Sequence, residues 1–177
     1  MRIRTIFLLL ALVLVGARAE PAAPKAGKPQ FSIREVMEAE VDPSADVIWD
    51  SVSTIVNAAG RTDKQPRTDE EWQVVRHSAV TLFESMNLIT MPGRSIAPAG
   101  KVYPYEAGTD VLQKKLDGNR AAFLAFAKSI QSLSLKTLQA IDARDPQRLM
   151  DVGSEIDEAC EACHLVFWYP PELEPKQ

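Results

Sequence analysis

Asp145-Pro146-Gln147-Arg148-Leu149-Met150-Asp151-Val152-Gly153-Ser154-Glu155-Ile156-Asp157-Glu158-Ala159-Cys160-Glu161-Ala162-Cys163-His164-Leu165-Val166-Phe167, near the end of a 177-residue chain, reads as a single amphipathic helix. Asp145 is a cap residue followed by proline at the first helical position, where a missing N–H costs nothing. Leu149, Val152, Gly153, Ile156, Cys160, Cys163 and Phe167 recur at steps of three and four, so they share one face. The two cysteines are the only ones in the sequence, and they continue the apolar stripe.

Within that helix, Cys160-Glu161-Ala162-Cys163-His164 has the C-x-x-C-H spacing of a c-type haem attachment site. Two thiols about one turn apart can each add to a vinyl group on one edge of a porphyrin. The imidazole of His164 follows at once and can reach the iron from the proximal face. Three other readings compete. A reversible dithiol needs a strand before the motif and most of an α/β fold after it, whereas only thirteen residues follow His164. Zinc would need a fourth ligand, and adjacent Cys and His side chains point in different directions. A structural disulfide would leave His164 unexplained. The motif therefore predicts one haem c, held through Cys160 and Cys163, with His164 on its iron.

Three further helical regions precede this one. Ile33, Val36, Met37 and Val41, then Val47, Ile48, Val52, Ile55, Val56 and Ala59, follow helical spacing up to Gly60. Asp42-Pro43 predicts a kink or short break between the two sets. Thr68-Asp69-Glu70-Glu71 is a capping box that opens a second helix. Its stripe runs Trp72, Val75, Ala79, Leu82, Phe83, Met86 and Ile89, and it stops at Met91-Pro92-Gly93. A third helix is expected over about 109–143, with Leu112, Leu116, Phe123, Phe126, Ala127, Ile130, Leu138 and Ile141 inward and Gly118 as its weak point. Residues 92–108 hold three prolines and three glycines without a period, a longer connection than bundles usually use. That loop can fold over a haem edge, with Arg94 or Lys101 near a propionate, or it can be a solvated crossover. No internal repeat, strand alternation or Gly-rich phosphate loop is visible.

The beginning of the chain predicts export. Arg2 and Arg4, an apolar run from Ile6 to Val15, and Ala17-Arg18-Ala19 have the form of a cleavable signal peptide over residues 1–19. The apolar run is shorter than the roughly 20 residues a spanning helix needs, so no membrane span is expected in the mature chain. Residues 20–30 read as a flexible leader, 31–169 as one domain and 170–177 as a tail. Cleavage would remove three arginines and take the net charge from −4 to −7. An acidic protein in the periplasm, or secreted, is a poor partner for nucleic acid and suits a basic face on another protein.

Amphipathic helices with Cys160-Glu161-Ala162-Cys163-His164 on the last of them resemble the cytochrome c prime family, over about 31–167. The resemblance implies an all-α, up-down-up-down four-helix bundle with one covalently bound haem, held by the last helix and facing the first. It also implies two functional types. In one, a Met of the first helix ligates the iron and keeps it low-spin; in the other, the iron is five-coordinate and binds gases. Met37 stands where the first type keeps its ligand, and such bundles often pair as homodimers. Many relatives carry a basic residue a few positions past the His, where this chain reads Leu165-Val166-Phe167-Trp168-Tyr169.

Met37 also suits plain core packing, and Met86 and Met91 are weaker candidates for the iron. His77 falls two positions after Val75, off the buried stripe. Trp49, Trp72 and Trp168 read as packing first. The Glu155, Asp157, Glu158, Glu161 cluster reads as a solvated face or as a docking rim. No nucleophile is paired with a base once the cysteines and His164 are committed, so no enzyme is expected. The function expected is single-electron transfer between redox partner proteins, with Met37 as distal ligand. The alternative is a five-coordinate haem protein that binds or senses NO or CO.

Overall fold

The computed structural model describes residues 27–100 and 106–169. The expected signal peptide, residues 20–26 of the leader, Lys101 and the tail 170–177 lie outside the described residues. The chain is mostly helical, in the order α1 (Ile33–Val36), a π turn (Met37–Val41), α2 (Asp42–Asp50), β1 (Ser53–Asn57), β2 (Gly60–Lys64), α3 (Asp69–Ile89), α4 (Thr109–Gly118), α5 (Arg120–Asp142) and α6 (Pro146–Phe167). Helix α5 packs against α3 and α6, and α2 packs against α3 and, less closely, α6. No helix among the described residues is long and apolar enough to cross a membrane.

Helices α3 and α6 begin where their cap residues dictate. Asp145 accepts the amide of Arg148 at 3.0 Å at the start of α6. Thr68 and Glu71 close the expected capping box on α3, with the amide of Glu71 donating to the Thr68 hydroxyl at 3.2 Å and the amide of Thr68 to the Glu71 carboxylate at 3.1 Å. The amides of Arg67 and Thr68 hold the Glu71 carboxyl below its ordinary value. That contribution is present above the ordinary carboxyl range and is lost as pH falls through the lowered value. Thr68→Ala is expected to cost about 1 kcal/mol in urea unfolding near neutral pH, and less in acid, where Glu71 is protonated.

The first limb differs from the expectation in two places. Asp42 does not cap a new start, because it lies in helical conformation (φ −58°, ψ −51°) and the chain passes through a π turn instead. Pro43 cannot donate an amide to the preceding turn, and a widened turn accommodates that loss. The helix then ends at Asp50 instead of continuing to Gly60. Residues 53–57 pair antiparallel with 60–64, with Ile55 opposite Thr62 and Val56 opposite Arg61. Val52, Thr54, Ile55 and Val56 are β-branched, and Asn57 and Gly60 (φ +120°) supply the reversal. Ile55 and Val56, expected in the core, are 56% and 74% exposed.

The expected third helix is two helices. Gly118 is a poor helix former, and Asn119 at φ −128°, ψ 31° turns its side-chain amide back to the Lys115 carbonyl at 3.1 Å. The stripe nevertheless keeps its inward face, with Leu112, Leu116, Phe123, Ala127, Ile130 and Ile141 buried. The buried hydroxyls of Ser134 and Thr137 donate to carbonyls one turn back, at 2.8 and 3.0 Å, so the interior carries them without penalty.

After α3 the chain folds against the start of α1. Backbone amides of Ile33 and Arg34 donate to the carbonyls of Ser95 and Ile96 at 2.8 and 3.0 Å, which satisfies helix-end donors. Arg94 is buried there, donating to the carbonyls of Leu88 and Phe31 at 2.7 and 2.6 Å. It is a structural tie and does not face the motif, contrary to the propionate role considered above.

Candidate functional site

The motif on α6 opens onto a cavity of about 150 Å³ that reaches the surface. Cys160, Cys163 and His164 form one wall. Met37, Val41, Ala45 and Trp49 of the first limb form another, at successive steps of four. In an unbroken α-helix a four-residue step drifts by roughly 40° around the axis, so four such positions would not stay aligned. The extra residue taken up by the π turn lets Met37 share a wall with the α2 residues. Phe123, Phe126, Ala127 and Ile130 of α5, with Met86 and Ile89 of α3, complete an apolar lining.

The structure thus brings together all four residues singled out from sequence. Met37 is half-buried at the cavity wall, not sealed in the core. Met86 lines the same cavity and is fully buried, while Met91 instead accepts from the Arg94 guanidinium at 3.4 Å. His77 is exposed on α3, as its place off the stripe implied.

Both cysteines are free thiols, and burial pushes them up, Cys160 to about 11 and Cys163 to about 12. Catalytic C-x-x-C pairs have their nucleophilic thiol shifted down, toward the thiolate that does the exchange. A neutral, half-buried pair on a helix that follows directly on helix α5, with no strand leading into it, argues against the dithiol reading. Among the described residues, no three His, Cys, Asp or Glu side chains form a metal-holding group.

Sequence reasoning missed several neighbours of the motif. Asp42 lies at the cavity, where burial raises its carboxyl and the charge of nearby His164 opposes that rise. Arg34 is buried among the stripe residues of the first limb, paired with Glu106 and with Glu38 at 2.8 Å, and its guanidinium lies 5.4 Å from the centre of the Trp168 ring. The rings of Trp168 and Tyr169 stand 6.4 and 6.2 Å from His164, and the Tyr169 hydroxyl donates to Glu161 at 2.8 Å. Trp49 donates its indole N–H to the Gly153 carbonyl at 2.9 Å. A Cβ on Gly153 would sit 3.3 Å from that ring, so the missing side chain lets α2 and α6 approach. The only hint in the sequence was a glycine inside the stripe.

No family model, no curated protein and no solved structure matches the chain.

Proposed function

We propose that the protein is a c-type cytochrome of the cytochrome c prime kind, a four-helix bundle exported to the periplasm that carries single electrons between partner proteins. The observation that carries this reading is the shared cavity. Two neutral thiols, an imidazole one step beyond them and a thioether from another limb all line one largely apolar space, with carboxylates of Asp42, Asp157 and Glu161 also at it. These donors fit a haem, for which Cys160 and Cys163 would form the thioethers and His164 the proximal bond. Bound there, the group would supply reversible one-electron chemistry, and the chain would set its potential through ligation, burial and charge.

The chain's own residues support particular roles. Phe123, Phe126 and Ile130 of the α5 wall would exclude water from the porphyrin face. Asp42, whose carboxyl feels the charge of His164 at the cavity, would supply a counter-charge to the imidazole. No Lys or Arg among the described residues lines the cavity, so two propionates would meet their counter-charge in water. The wholly apolar α5 wall also favours the second reading: with Met37 unligated, it would admit a small neutral gas at the iron.

Acid denaturation of the exported protein, followed by electrophoresis and mass measurement, tests the cofactor. The expected result is haem that stays with the polypeptide, with the mass of one haem added. Haem that migrates away, or an unmodified mass, would overturn the proposal.

A further inference from the structure

A surface groove between α2 and α6 shares two of its residues, Trp49 and Asp157, with the motif cavity. Ile48, Val52 and Met150 form its apolar floor, and Ser154, Asp157 and Glu158 its rim. The indole of Trp49, fixed by its bond to the Gly153 carbonyl, is therefore a common wall, with the cavity on one side and the groove on the other.

Charge around this groove is segregated by sign. No Lys or Arg stands between Glu35 and Gly60, nor between Leu149 and Tyr169, the two stretches that form α2 and most of α6. Glu155 turns to Lys136 at 2.6 Å, on the α5 side. Asp46, Asp50, Asp157 and Glu158 form no ion pair with the described residues, so their charge faces solvent. An apolar floor whose charged lining residues, Asp157 and Glu158, are both acidic suits a partner of opposite charge, with Lys136 beside Glu158 held by its bond to Glu155. The rim would steer encounter, and the floor would exclude water from the contact.

We propose that this groove is the docking surface for a redox protein that presents a basic face, which would seat it against the Trp49 wall of the cavity. The inference rests on the electron-transfer reading above, since the groove matters to function only if the cavity holds a redox centre.

The test uses the full-length exported protein and a basic small cytochrome c as probe, with complex formation followed by calorimetry, a readout that needs no electron transfer. Binding should be tight at low ionic strength and weaken steeply as salt is added. The double variant Asp157→Asn, Glu158→Gln should lose about tenfold in affinity and most of the salt dependence. A control with the same change in net charge, Glu84→Gln with Asp110→Asn, lies on α3 and α4 outside the groove and should change affinity less than twofold. Equal losses in both variants would mean that only overall charge attracts the probe, and would overturn the groove. So would an unchanged affinity in the groove variant. If the groove variant is poorly folded by circular dichroism, Ser154→Arg provides the second arm: it places a cation at the rim and should weaken binding as strongly, and unchanged affinity there would sink the proposal. Failure of the cytochrome reading is recognised separately, by absence of covalent haem in protein that still binds the probe through the groove.

Discussion

Replacing Cys160 and Cys163 together with serine is expected to give a protein without covalent haem and with a large loss of stability. Serine keeps the size of each side chain while removing the sulfur that would bond to the porphyrin. The cost follows from the cavity, whose walls on α3, α5 and α6 have no side chains to fill about 150 Å³ between them. At about 24 cal/mol per Å³, that space corresponds to at most about 4 kcal/mol, because the cavity opens to water at the surface. For a domain of this size, such a loss lowers the melting temperature by at most about 15 °C. Thermal unfolding by circular dichroism, with soluble expression compared in parallel, measures it. A double variant that melts with the parent would show that the fold does not depend on a group in the cavity, and the proposed coupling would fail.

The parts of the fold legible in the sequence are those specified locally. Thr68 with Glu71 and Asp145 with Pro146 mark helix starts through hydrogen bonds within a few residues, and α3 and α6 begin there. The hairpin was not legible, because Val52, Ile55 and Val56 fall at steps of three and one that suit a helix face as well as a strand. What separates the two is β-branching and the Asn57 to Gly60 reversal, and a period count ignores both. The π turn leaves no mark in composition, yet it sets the register of Met37.

The site divides in the same way. Cys160, Cys163 and His164 stand within one short stretch of sequence, as the proposed haem attachment would need, and Met37 lay on a readable stripe. The α5 wall, the Trp49 bond to Gly153 and the buried Arg34 beside Glu106 join residues far apart in the chain. One sequence shows which faces are apolar, but not which faces meet.

Met37→Ala is expected to change the spectrum and the potential more than the fold. Met37 lines the cavity from the first limb, on the π turn, while His164 lines it from α6. In the proposed cytochrome, a thioether ligand from Met37 would keep the iron low-spin and favour the ferrous state, since sulfur stabilises the softer ion. Alanine cannot reach the metal. Loss of the proposed bond should therefore give a high-spin centre that takes up carbon monoxide readily. The potential should fall by on the order of a tenth of a volt, a modest share of the roughly 0.8 V that axial ligation spans. The carboxylates of Asp42, Asp157 and Glu161 at the cavity would act in the same direction, because negative charge favours the ferric form. Stability should change little, as Met37 is only half-buried and its loss leaves the apolar α5 wall intact. Optical spectra of the reduced protein with and without carbon monoxide, with a redox titration of both forms, decide the matter. A parent protein that is already high-spin and binds carbon monoxide, with Met37→Ala indistinguishable from it, would remove Met37 from the iron and make gas binding the function to pursue.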